Sequence, residues 1–132
     1  EHLERIMDAT GVAPVVNQIE LHPEFQQREL RVFNARHDIR TEAWRPLGKG
    51  RALEDPRVCE IAARYGKTPA QVVIRWHLQS GLIVIPKSAN PGRLAENIDV
   101  FDFTLHSADM EAIDAMDRAE GRMCAHPMTA EF

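Results

Sequence analysis

The stretch Leu82–Asn97, LIVIPKSANPGRLAEN, constrains the fold more than any other part of the chain. Leu82 to Ile85 are all apolar and three of the four are β-branched, which predicts a strand covered on both faces. Pro86 stops the ladder. Asn90 suits a helix N-cap and Pro91 the first helical position, so a helix opens there and runs to Asn97. Arg93, Glu96 and Asn97 stand at i, i+3 and i+4 and share one helix face. Lys87 and Ser88 lie just before a helix N-terminus, where free N–H groups favour an anion. A cation, a hydroxyl, a helix N-terminus and a first-turn arginine together suit a phosphate. The same residues also suit a capping turn on a solvated helix.

The rest of the chain repeats this alternation. Glu1–Ala9 reads as an amphipathic helix ended by Gly11, with Leu3, Ile6 and Met7 on one side. Val15–Leu21 reads as a strand closed by His22-Pro23, and Gln26–His37 as a helix burying Leu30, Phe33 and Asn34. Ile39–Trp44 is the next strand, leading into a Pro/Gly loop at 45–50. Helices follow from Asp55-Pro56 to Tyr65 and from Pro69 to Gln79, the second capped by Thr68. Past the opening stretch come an extended connection at 100–105, a helix over Ser107–Asp117 with Ser107 as its N-cap, and an irregular tail.

Strands alternating with helices predict parallel βαβ units in an α/β protein. About three strands are too few to close a barrel, which leaves two hydrophobic edges that soluble proteins cover. The length, 132 residues, suits one domain. Hydrophobic content of 44% and charged content of 27% fit a globular chain, and no apolar run approaches a membrane span. A net charge of −4 gives no reason to expect nucleic acid as a partner. Cys59 and Cys124 lack metal-ligand spacing and read as reduced thiols of a cytoplasmic protein without a signal peptide.

Four separated motifs, in order, resemble the second half of the aldo-keto reductases. VVNQIELHP at 15–23 resembles that family's sixth strand, and TEAWRPLG at 41–48 its seventh. GKTPAQV at 66–72 with RWHLQ at 75–79 is similar to the helix before strand eight. IPKS at 85–88 through Asn97 is similar to strand eight and its helix. The resemblance implies that residues 1–132 are the C-terminal part of a (β/α)8 TIM barrel, from the helix after strand five onward, with an appended helix and tail. It implies NADP(H) as cofactor and reduction of a small aldehyde or ketone by hydride transfer. Lys87, Ser88 and Arg93 would then hold the adenosine 2′-phosphate, and Glu96 and Asn97 the adenine. Gln18 would bond the nicotinamide carboxamide, Trp44 would stack on the ring, and Leu47 lies in the loop that borders the cofactor. The tail from Arg118 would border the substrate pocket.

The family's catalytic Asp, Tyr, Lys and His belong to the first half of the barrel, and none has a counterpart in these motifs. Tyr65, the single tyrosine, stands at a helix end that the family does not use for chemistry. Lys87 occupies the phosphate position and not that of the catalytic lysine. Arg45 departs from the family's usual small residue, often serine, whose hydroxyl contacts the pyrophosphate; arginine there can pair with phosphate or block the loop. His22 and His77 read as structural histidines rather than metal ligands, and Glu20 and Glu42 as a remote option for a carboxylate pair across the sheet. Two alternatives stand beside the enzyme reading. One is a catalytically inactive nucleotide-binding remnant. The other is a half-barrel that associates with itself or with a separate N-terminal half.

Overall fold

A computed structural model describes residues 1–130. The elements are α1 (His2–Thr10), β1 (Val16–Glu20), α2 (Arg28–Arg36), β2 (Arg40–Trp44), a 3-10 segment (Gly48–Leu53), α3 (Pro56–Tyr65), α4 (Pro69–Gln79), β3 (Ile83–Val84), α5 (Pro91–Ile98), α6 (Ser107–Asp114) and a 3-10 turn (Ala119–Gly121). The strands form one parallel sheet in the order β1-β2-β3. Val16 of β1 pairs with Arg40, Glu20 with Trp44, and Glu42 of β2 with Ile83.

Local chemistry sets the helix boundaries. Asp55 caps α3 by accepting the Arg57 N–H at 2.9 Å, and Pro56 takes the first helical position. Thr68 and Gln71 form a reciprocal capping box on α4. Asn90 accepts the Arg93 N–H at 3.2 Å and starts α5. Gly66, at φ +62°, ends α3 in a left-handed conformation that glycine adopts without a Cβ penalty.

Side chains alternate across the sheet. Thr41 and Ala43 of β2 are buried against the helices, while Gln18, Glu20, Glu42 and Trp44 share the opposite face. The core lies on the helix side. Val72, Val73 and Trp76 of α4 are fully buried with Leu21, Ala43, Val58 and Ile113. Trp76 satisfies its one polar atom by donating Nε1–H to Asp114 at 2.9 Å. Asn34, buried on α2, donates to Thr41 Oγ1 at 2.9 Å and accepts from Asn17 at 3.3 Å, tying that helix to both strands.

Five expectations change. The helix expected from Gln26 begins at Arg28, because Gln26 turns inward and donates to the Pro23, Ile113 and Asp114 carbonyls, and Gln27 takes a left-handed conformation. The strand expected over 82–85 has only Ile83 and Val84 in the ladder. It is not covered on both faces: Leu82 is buried on the helix side, but Ile83, which pairs with Glu42, and Ile85 are exposed on the opposite face of the sheet, the one that carries Gln18 and Glu42. The last helix ends at Asp114 rather than Asp117, because the Asp117 carboxylate turns away to Gln26 and Arg28. Its N-cap is His106 rather than Ser107, which is the first helical residue.

Candidate functional site

The eight residues singled out from sequence fall into two groups. Leu47, Lys87, Ser88, Arg93, Glu96 and Asn97 line a single cleft of about 430 Å³, together with Gly50, Leu53, Glu54 and the Thr68-Pro69-Ala70 start of α4. Gln18 and Trp44 do not line it; they stand on the far face of the sheet. The cleft runs from the 3-10 segment after β2 to the turn after β3, so it lies at the carboxyl end of the strands, as does Trp44, while Gln18 is the middle residue of β1. That end is where parallel α/β folds carry their ligands.

The cleft is chemically ordered along α5. At the amino end, the Ser88 hydroxyl accepts the Asn90 N–H at 3.1 Å, and Asn90 caps the helix. Lys87 and Arg93 flank this turn, both exposed, and neither pairs with a carboxylate among the described residues. Two cations without a carboxylate partner beside a helix N-terminus give this end of the cleft a positive charge that attracts anions. One turn beyond Arg93, Glu96 and Asn97 offer a carboxylate and an amide, which suit a ring carrying both donors and acceptors. A second hollow of about 520 Å³ shares Lys87, Ser88 and Arg93, so the cations are reachable from two sides.

On the other face, Gln18 donates to the Glu42 carboxylate directly across the β1–β2 register. Trp44 is half-buried, and the Arg45 guanidinium lies 5.1 Å from its ring centre. Arg45 itself has φ +53°, so the loop leaves β2 through a left-handed residue. Glu20 and Glu42 are two positions out of register and make no pair: Glu42 meets Gln18, and Glu20 meets the tail.

Tyr65 is committed to structure. Its hydroxyl donates to Asp109 at 2.6 Å and accepts the His106 N–H at 2.9 Å. His77 is fully buried, and loss of solvation lowers its pKa from 6.5 to about 4. The neutral ring has one N–H, and the shorter contact takes it: Nδ1 lies 2.8 Å from the Val73 carbonyl. Burial also pushes the His22 pKa down, partly offset by the Glu20 carboxylate 3.3 Å away. No group of three or more metal-ligating side chains occurs among the described residues, and no helix there is long and apolar enough to cross a membrane.

Sequence reasoning read Thr68-Pro69 as a cap and missed that it walls the cleft. The signal was local, and the packing of α4 beside α5 was not. It also missed Glu20 as a buried anchor, since its partners lie about a hundred residues away.

The model of the Aldo/keto reductase family matches residues 1–118. Methylglyoxal reductase DkgA of Escherichia coli (strain K12) is 54% identical over 121 residues, which is 90% of this chain and 44% of that protein. Among solved structures, the apo form of Gox0644 is 71% identical with a TM-score of 0.98, over 99% of this chain and 48% of that one. A mutant of Gox0644 in complex with NADPH superposes with a TM-score of 0.97 at the same identity and coverage. The chain thus spans about half the length of the relatives it matches. Its three parallel strands and their helices have the architecture of part of a (β/α)8 barrel. Sequence motifs, strand order and superposition agree, and the chain belongs to the aldo/keto reductase family.

Proposed function

We propose that this chain is the cofactor-holding, carboxy-terminal part of an NADP(H)-dependent reductase of small aldehydes or ketones. The observation that carries the reading is the cleft in which Lys87, Ser88 and Arg93 stand at the start of α5 without a carboxylate partner. A ribose 2′-phosphate is the part of NADP(H) that such a site recognises and NAD(H) lacks. Glu96 and Asn97 hold the adenine edge, and Leu47 covers the cleft from the β2 loop. The complex of a Gox0644 mutant with NADPH and the name of the methylglyoxal reductase relative support this choice of cofactor and reaction class.

The bound cofactor supplies the hydride. This chain's residues bind and orient it. Trp44 gives a flat apolar face for the nicotinamide, and Gln18 turns its amide to the carboxamide on release from Glu42. Arg45, above Trp44, replaces a neutral hydroxyl contact with a cationic one. The proton donor of the reaction lies outside these motifs, since the Tyr65 hydroxyl is held by Asp109 and His106.

Titration of the 132-residue chain with NADPH and NADH tests the reading, with a parallel NADPH-oxidation assay on methylglyoxal. NADPH is expected to bind about tenfold tighter than NADH, a difference near 1.4 kcal/mol, with no turnover. Equal affinities overturn the 2′-phosphate assignment, and clear turnover overturns the absence of catalytic groups.

One observation favours a half-barrel that pairs. Val15 and Val16 at one sheet edge and Ile83 and Ile85 at the other are exposed. Such edges recruit another strand. Sedimentation at several concentrations is expected to show association; a folded monomer throughout the range removes this reading.

A further inference from the structure

Glu20 ends β1, and its side chain is buried. A buried carboxylate needs strong donors. It has no lysine or arginine partner among the described residues. Instead the Met123 N–H donates to Oε1 at 2.7 Å and the Cys124 N–H donates to Oε2 at 3.2 Å, with His22 Nε2 3.3 Å away. Two of its three partners are therefore backbone amides of the tail.

The neighbouring tail residues are seated on the loop after β1. The Arg118 N–H donates to the Glu24 carbonyl at 3.2 Å. Gly121 is so close to that carbonyl that a Cβ would lie 1.9 Å from its oxygen. The Arg122 guanidinium lies 4.6 Å from the Phe25 ring centre. The Met123 methyl and the His22 ring both approach Gly48, next to Leu47 of the cofactor cleft. The tail thus crosses the carboxyl ends of β1 and β2.

We infer that Glu20 is a positioning residue: its carboxylate, accepting the Met123 and Cys124 amides, fixes residues 121–124 as a wall of the mouth where this fold binds substrate. The anchor stands on the contacts above, and its meaning for substrate rests on the reductase reading. A wall held by backbone amides leaves the side chains of Met123 and Cys124 free to vary, so they set the shape of the mouth while Glu20 sets its position.

Amide exchange and thiol labelling of the full chain test this. In the unaltered protein the Met123 and Cys124 amides are expected to exchange about a hundredfold more slowly than that of Ala125. Burial and, after it, the Glu20 carboxylate hold the Cys124 thiol pKa up, so a rise in labelling counts for the anchor only where amide protection is lost with it; Cys59 is exposed and serves as the internal reference. Glu20→Ala is expected to abolish both protections and to raise the Cys124:Cys59 ratio of iodoacetamide labelling rates about tenfold. Glu20→Gln keeps one acceptor oxygen and is expected to fall between. Unprotected amides in the unaltered protein, or an unchanged ratio in a folded variant, overturn the proposal. If near-ultraviolet dichroism shows that Glu20→Ala has unfolded, Glu20→Gln and the exchange of the unaltered protein still decide. The NADPH-to-NADH affinity ratio on the same samples reports separately on the reductase reading.

Discussion

His77 makes the stability of this fold depend on pH in a calculable way. Its ring is fully buried between α4 and the end of β1, donating to the Val73 carbonyl, with a folded pKa of about 4 against 6.5 when solvated. As pH falls through 6.5, the unfolded chain takes up a proton at this residue and the folded chain does not. The unfolded state then binds more protons, so stability is lost on acidification from 6.5 towards 4 and is fully present above 6.5. Between pH 7.5 and pH 5 the two pKa values give a loss of about 2 kcal/mol, against a ceiling of about 3 kcal/mol below both. His22 shifts the same way and adds to the total slope. A comparison with His77→Gln isolates the one residue. The assay is urea unfolding at half-unit steps of pH, followed by tryptophan fluorescence. The histidine protein should lose about 2 kcal/mol more than the glutamine variant over that range. Parallel pH profiles for the two proteins would refute the argument that burial keeps this ring neutral.

Three further outcomes follow from described contacts. Arg93→Ala and Lys87→Ala should each weaken NADPH binding about tenfold and leave NADH binding within about twofold, read by fluorescence titration at fixed salt. Gly121→Ala sets a methyl against the Glu24 carbonyl, so the unfolding free energy should drop by about 1–3 kcal/mol in urea melts. Thr68→Ala removes the capping box of α4 and should cost about 1 kcal/mol, with Thr68→Ser restoring most of it.

The parts legible in sequence were those with local causes. Asp55-Pro56, Thr68-Pro69 and Asn90-Pro91 each put a capping oxygen before a proline, and each opens a helix. Of the eight residues named from motifs, Leu47, Lys87, Ser88, Arg93, Glu96 and Asn97 line one cleft, while Gln18 and Trp44 stand on the other face of the sheet. What escaped depends on distant partners. Gln26 had helix periodicity on its side, yet three carbonyls, two of them from α6, take its amide and delay α2. Leu82–Ile85 had the composition of a covered strand, but cover belongs to neighbours and not to composition, and the helices pack only on the face that carries Leu82, away from Ile83 and Ile85. Glu20 looked like one of two strand carboxylates until the tail supplied its donors.

The contact between Glu20 and Met123 spans 103 positions of chain. Closing a flexible loop of that length costs about 4 kcal/mol of chain entropy, about as much as two hydrogen bonds to a carboxylate return, so the contact gains nothing by forming first. The anchor therefore cannot nucleate folding. It forms once β1, β2 and β3 have met and the loop has shrunk to a short tail. A contact that closes so late is expected to open at lower cost than the β1–β2 ladder. A tail released this way frees the backbone at Arg118, now bonded to the Glu24 carbonyl, and at Arg122, so trypsin is expected to cleave there under conditions where the core remains intact.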